Sequence, residues 1–229
     1  EENMLPNENV GWVDIDIAPS DPNVIYASIS NATTGNLLGV YYSKDQGASW
    51  ELIFPPNTMD DPFDGAGCYA NTIKVFPDNP AKVLLGGYSG WCGTKYQEQG
   101  YFSWEEVDVN YIAANLTIAP SYHHDYTFRP GIPNEFAIAN SSGVTLATID
   151  GTGFNYQSSN KNLTISQFNS VALTVKDTWV MGGGVNVGTE LFNAVVQNSP
   201  TDGYEVPTSP TTGTFCEWSK LLTNVIIFS

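Results

Sequence analysis

The sequence predicts an all-β fold, a β-propeller of four-stranded antiparallel blades, from three observations. Strand-like runs recur between turn clusters, no segment keeps helical apolar spacing, and one strand–turn–strand phrase returns along the chain. The runs are short, rich in Val, Ile and Tyr, and bounded by Gly, Pro, Asn and Asp. In order they are WVDIDIA (12–18), NVIYASIS (23–30), GVYYS (39–43), WELIF (50–54), TIKVF (72–76), KVLLGGY (82–88), YTF (126–128), EFAIAN (135–140), GVTLATI (143–149), VALTV (171–175) and TWVMGGG (178–184). Nothing sustains apolar positions at i, i+3, i+4 and i+7 between caps over four turns, which confines helix to short connections.

The repeated phrase sets the architecture. DIAPSDPNVIYA at 16–27 returns as KVFPDNPAKVLLG at 74–86 and as TFRPGIPNEFAIA at 127–139. Each copy is a strand, a Pro-bracketed turn and a strand. LTVKDTWVMG at 173–182 keeps the pattern without its prolines. Periods of roughly 40 to 50 residues built from four short strands mark propeller blades. Blade repeats are expected near 12–54, 72–104, 126–156 and 169–195, with 200–229 opening a further blade, all in one domain of residues 1–229. About four blades plus the start of another exhaust the chain, so an incomplete ring is expected. Its open blade edges would need a partner chain or further sequence to cover them.

Composition narrows the partners. The 229 residues carry 24 Asp+Glu against 8 Lys+Arg, a formal charge of −16. A 41% hydrophobic content supports a real core, and the 14% charged fraction lies below the usual ~25%, so disorder is not expected. Phosphate contacts need clustered Lys and Arg, and with Arg129 as the sole arginine no nucleic-acid surface is expected. No window approaches the roughly 18 to 20 apolar residues that cross a bilayer, so no membrane insertion is expected. Cys68, Cys92 and Cys216 are too few for a disulfide scaffold and lack C-x-x-C spacing; they allow one bridge and a spare thiol, or three buried thiols.

A second element follows the first phrase. SKDQGASW at 43–50 fits S-x-D-x-G-x-x-W. Ser43 and Asp45 can bond the backbone of the turn, Gly47 can take a positive φ, and Trp50 can fold its ring under the hairpin. Shortened relatives fall where the repeat places them: GYFSW at 100–104, and TIDGTGF at 148–154 with Asp150 and, in place of Trp, Phe154. A turn that satisfies its own polar groups reads as structural.

These turns resemble the Asp-box (BNR-type) β-propellers, a group of sialidases, xyloglucanase-type glycoside hydrolases, sortilin-type receptor ectodomains and bacterial secreted or surface proteins. NSSGV at 140–144, the Asp150 hairpin, NLTISQFNSVA at 162–172 and VMGGGVNVGT at 180–189 follow one another as in the xyloglucanase/sortilin-like branch. The resemblance covers roughly residues 12–195. It implies a propeller, export to the outside or surface of a cell, and either a binding role or glycoside hydrolysis.

Sialidase chemistry in that group clamps its substrate with three arginines, which Arg129 alone cannot supply. A glycosidase needs two carboxylates ~5 to 9.5 Å apart across the scissile bond. In the xyloglucanase-like enzymes the catalytic aspartates sit in glycine-rich inner strands, whereas Gly86–Trp91 and Gly183–Asn186 contain no carboxylate. Asp14 and Asp16, alternating along one strand face, are the remaining acid pair. His123 and His124 are the two histidines; neighbours on a strand face opposite ways, which argues against chelation of one ion and leaves His124 as a ligand-contacting candidate. No metal is expected, apart from a candidate Ca²⁺ loop holding Asp60, Asp61 and Asp64 without EF-hand spacing, and no other cofactor. Tyr88, Trp91, Tyr96 and Tyr101, with Trp104, crowd one stretch and are the candidate binding surface, since rings stack on sugars or anchor protein partners. Sequons stand at Asn31, Asn115, Asn140 and Asn162. The expected function is a secreted or cell-surface module that binds a protein or polysaccharide. The alternative is a xyloglucanase-like hydrolase of β-glucan-type polysaccharide, and the third reading is a structural subunit of an envelope or secretion assembly.

Overall fold

The computed structural model describes residues 4–56, 60–96, 100–107, 109–110, 117–118, 122–150, 153–159, 170–173, 179–184, 188–193, 203–205, 216–218 and 226–228. Among them every regular element is a strand. The chain divides into two compact units, Glu1–Lys161 and Asn162–Ser229.

The first unit holds three four-stranded antiparallel meanders. Blade 1 is β1 (Val10–Ile17), β2 (Ile25–Asn31), β3 (Leu37–Ser43) and β4 (Glu51–Phe54). Blade 2 is β5 (Thr72–Phe76), β6 (Asn79–Gly86), β7 (Gly90–Tyr96) and β8 (Tyr101–Glu106). A two-stranded ribbon, β9 (Val109–Asn110) with β10 (Thr117–Ile118), precedes blade 3, which is β11 (His123–Arg129), β12 (Ile132–Asn140), β13 (Gly143–Asp150) and β14 (Gly153–Ser158). The first strands β1, β5 and β11 lie beside one another, so successive sheets stack face to face around a common inner edge. That is a partial propeller.

The second unit holds one more meander, β15 (Ser170–Leu173), β16 (Trp179–Gly184), β17 (Gly188–Asn193) and β18 (Gly203–Glu205), and a pair, β19 (Cys216–Trp218) with β20 (Ile226–Phe228). The expected opening of a further blade at 200 therefore moves. Gly203–Glu205 pair with β17 as the fourth strand of the sheet before it, and the two strands that follow begin at Cys216. The sequons Asn115 and Asn162 and the stretch 162–169 lie outside the described residues, as does the side chain of Cys216.

Period-2 alternation aims the packing. On β1, Val13, Ile15 and Ile17 share an exposed face, while Asp14 and Asp16 face blade 2. There the two carboxylates take up the main chain of β5. Asp14 Oδ2 accepts the Ile73 N–H at 2.8 Å, Asp16 Oδ2 accepts the Val75 N–H at 2.8 Å, and Asp16 Oδ1 lies 3.2 Å from Lys74 Nζ. The N–H groups on the free side of an edge strand need partners once buried, and these acids supply them. Both oxygens that hold β5 are thus structural, so the pair considered for acid–base chemistry is a staple between blades.

Behind the staple, Tyr26, Val40, Tyr42 and Phe54 of blade 1 meet Ile73, Val83 and Leu85 of blade 2. Trp91 and Trp104 join this packing: Trp91 stands 5.6 Å from Phe54, Trp104 stands 4.9 Å from it, and Trp104 Nε1 donates to the Ile53 carbonyl at 3.0 Å. Both tryptophans expected at a binding surface therefore join blade 1 to blade 2. A second core between blades 2 and 3 gathers Leu84, Cys92, Tyr126, Phe136, Ile138 and Phe154.

The SKDQGASW turn closes on itself. Ser43 Oγ donates to Asp45 Oδ1 at 2.8 Å and accepts the Gly47 N–H at 2.9 Å, while Ser49 gives Asp45 both its amide and its hydroxyl. Those bonds, chiefly from Ser49, hold the exposed Asp45 carboxyl down to about 2. Trp50 Nε1 donates to the Gly47 carbonyl at 3.1 Å and its ring packs against Ala27, Ile29 and Tyr41. At the shorter relative, Asp150 accepts from Asn155 Nδ2 at 2.8 Å and Phe154 is buried.

Candidate functional site

Three loops of the first unit converge at one end of blades 2 and 3. One runs from Asp60 to Asn71 into β5, the second is the β6–β7 turn at Gly87–Ser89, and the third is the entry to β11 at Tyr122. Small residues allow the approach. A side chain at Gly87 would fall 2.3 Å from the Phe63 ring and 2.6 Å from the Pro62 carbonyl, and one at Gly86 would fall 2.7 Å from His123. With that space open, the His123 N–H reaches the Gly87 carbonyl at 2.8 Å and the Ser89 N–H reaches the Pro62 carbonyl at 3.1 Å.

Tyr122 sits at the meeting point with φ of 62°, a left-handed conformation uncommon outside glycine. Its N–H donates to the Tyr88 carbonyl and its own carbonyl accepts from the Ser141 N–H, each at 3.2 Å. Strain held in place by neighbours on both sides marks a constrained position. What it constrains is a set of rings. Tyr122 meets Tyr69 edge to face at 5.6 Å and Tyr88 at 5.4 Å, and His124 meets Tyr69 at 4.9 Å, with interplanar angles of 74°, 82° and 88°. Ser141 Oγ, from the β12–β13 turn, lies 3.2 Å from His124 Nε2 and 3.3 Å from Tyr69 Oη. Tyr69 is 49% and Tyr88 40% exposed, so the rings form a wet aromatic surface fixed by main-chain bonds.

The Ser141–His124 contact has the residue types of a nucleophile and its base. The neighbouring amides are already engaged, Ser141 N–H with Tyr122 and Ser142 N–H with Asn140 Oδ1, so they offer no oxyanion site. Ser141 thus positions the rings. His123, fully buried on the other side of the strand, lies 2.6 Å from Tyr126 Oη through Nδ1 and belongs to the core.

The other expected site residues lie elsewhere. Tyr96 and Tyr101 stack at 5.5 Å across the β7–β8 hairpin, at the far end of a seven-residue strand from Tyr88, roughly 20 Å away. Asp61 caps structure: its carboxylate accepts the Leu37 N–H at 3.2 Å and the Phe63 N–H at 2.8 Å, tying the loop to β3. Asp64 takes φ of 42° at the loop bend, and Asp60 is exposed. Among the described residues no three His, Cys, Asp or Glu side chains gather as metal ligands. Cys68 is exposed and free and Cys92 is buried and free, so no bridge joins them; burial pushes the Cys92 thiol up to about 12. Asn140 is buried, with its amide bonded to Thr145 and to the Ser142 N–H, a poor acceptor for a glycan.

A concavity of about 730 Å³ lies on blade 3, lined by Thr127, Arg129, Glu135, Leu146, Thr148 and Asn155 among others. Arg129 is paired there with Glu135 at 2.6 Å. The described lining of this concavity comes from one sheet, whereas the aromatic cluster is built where three loops converge, so the cluster is the better site.

Of the cluster, Tyr88 and His124 were legible in sequence. Tyr69, Tyr122 and Ser141 were not. The available signal was positional: Tyr69 and Tyr122 each stand just ahead of the first strand of a blade, where chain entering an inner strand reaches the same end of the propeller.

No family model matches the chain, and no curated protein matches it. Solved structures similar to it include a GH74 enzyme of Niastella koreensis, at 16% identity and a TM-score of 0.41 over 89% of this chain and 24% of that one. Sqt1 of Chaetomium thermophilum is similar at 15% identity and a TM-score of 0.44, over 88% of this chain and 50% of that one. A chain of the mitotic checkpoint complex is similar at 8% identity and a TM-score of 0.38, over 99% of this chain and 58% of that one. The chain thus spans between a quarter and three fifths of the length of these structures. At such TM-scores the architecture stands on its own strand order and register.

Proposed function

We propose that the protein is a secreted or cell-surface propeller whose work is binding, with Tyr69, Tyr88, Tyr122 and His124 as the contact surface for a protein or glycan ligand. The observation that supports this reading is the strained Tyr122 backbone, which fixes exposed rings from three loops against one another. Rings held rigid lose little conformational entropy on binding, which is why preordered aromatics serve as anchors. The acid pair Asp14 and Asp16 supports the same reading, since both carboxylates are engaged in holding β5.

The test is retention of the protein on immobilised cellulose, xylan, polylysine and polyglutamate, comparing wild type with Tyr69→Ala/Tyr88→Ala and with Leu146→Ser on blade 3. Wild type and the Leu146 variant should bind at least one surface, and the double variant should lose roughly tenfold in affinity, as expected for truncated anchors. Failure of wild type on all four surfaces, or full retention by the double variant, would refute the reading.

A further inference from the structure

Resting on that reading of the aromatic cluster, we propose that its ligand is a basic polypeptide segment, a Lys or Arg side chain of which seats against the Tyr69, Tyr88 and Tyr122 rings. The first support is charge. The chain carries a formal −16, and the segments that build the cluster, 60–70, 87–90, 122–125 and 140–143, contain no Lys or Arg while holding Asp60, Asp61, Asp64 and Asp125. Asp60, Asp64 and Asp125 are exposed. Loops that carry carboxylates and no cation favour a basic partner and disfavour carboxylates and phosphates.

The second support is ring geometry. The interplanar angles of 74°, 82° and 88° set neighbouring rings nearly perpendicular, so one elongated cation meets more than one π face. The tyrosine hydroxyls and Ser141 Oγ add acceptors for the N–H groups of a guanidinium or ammonium. The third support is precedent within the fold. Lys95 Nζ sits 3.8 Å from the Tyr42 centroid and 5.3 Å from that of Phe102, and Lys82 Nζ sits 4.7 Å from that of Phe76. Lysines of this chain thus already dock on aromatic faces where the sequence supplies both partners. The segments that build the cluster bring rings and no Lys or Arg of their own.

The experiment measures binding of the peptides Gly-Lys-Gly-Lys-Gly and Gly-Arg-Gly-Arg-Gly, a norleucine analogue, and cellohexaose, by tyrosine ring shifts in NMR at about 150 mM salt, where the Debye length is ~8 Å. The basic peptides should bind and the norleucine analogue should bind about tenfold more weakly. Tyr69→Ala and Tyr88→Ala should each weaken the basic peptides about two- to fivefold, the range for one exposed cation–π contact. Tyr69→Phe and Tyr88→Phe, which keep the ring, should bind nearly as wild type, and urea midpoints confirm that each variant folds. Equal binding by the alanine variants, whose net charge is unchanged, would mean diffuse attraction and overturns the proposal. Binding of cellohexaose at the cluster without the basic peptides overturns the cation but leaves the binding reading standing. Silence of the cluster towards every probe defeats both.

Discussion

Replacing Asp16 with alanine leaves the Val75 N–H on a strand whose side chains are 1–2% exposed at Ile73 and Val75, with no carboxylate to accept it. An unsatisfied buried donor costs about 1–3 kcal/mol. The accompanying ion pair is a small term: Lys74 is 36% exposed, and pairs of that kind contribute about 0–1 kcal/mol. Asp16→Ala should therefore destabilise by about 2 kcal/mol and Lys74→Ala by well under 1 kcal/mol. With a urea slope of about 2 kcal/mol per M, the midpoint falls by roughly 1 M for the first and by less than roughly 0.5 M for the second, at unchanged slope. Asp16→Asn keeps an oxygen for Val75 and should recover most of the loss. Asp14→Ala should match Asp16→Ala, and the double variant should cost roughly the sum, less the coupling expected between neighbours. Equal midpoints for Asp16→Ala and Lys74→Ala would refute the staple, because the carboxylate would then act only through its charge pair.

Three further outcomes are expected. Gly93→Ala places a methyl 2.7–2.9 Å from three atoms of the Trp104 ring, so it should lower stability by about 1–3 kcal/mol, read as a fall in Tm. In a Cys216→Ser background, Cys68 should react with a thiol reagent in the native protein, and buried Cys92 only once urea unfolds it. Asp45 is depressed to about 2 in the folded chain against an unfolded value near 3.8, so its contribution is present above about pH 4 and is lost as pH falls towards 2. In Asp45→Asn the fall in Tm over that window should be smaller than in wild type.

Much of the fold was legible because blade strands write themselves in short β-branched runs and their turns in Pro and Gly. The Ser43–Trp50 turn was legible because the hydrogen bonds of Ser43, Asp45, Gly47, Ser49 and Trp50 close on one another within eight residues. The site was less so, for a physical reason. Tyr69, Tyr88, Tyr122 and Ser141 are separated by up to 72 residues and meet only through loops, where neither periodicity nor propensity records which neighbour a ring faces. Aromatic density alone misled at Trp91 and Trp104: both fall in the crowded stretch, but alternation turns them into the packing between blades 1 and 2. Asp14 and Asp16 looked free on a strand face because the N–H groups they serve belong to a strand about 60 residues on.

That staple divides the labour between blades unequally. The accepting strand, β1, must offer carboxylates at two alternate positions, whereas β5 contributes only its peptide N–H groups, which every residue except proline possesses. The side chains at 73 and 75 therefore answer to the core they pack in and not to the staple, while those at 14 and 16 answer to the staple. At this seam the order of blades 1 and 2 is written in the side chains of one strand alone, and the staple itself asks no matching side chain of the strand that receives it.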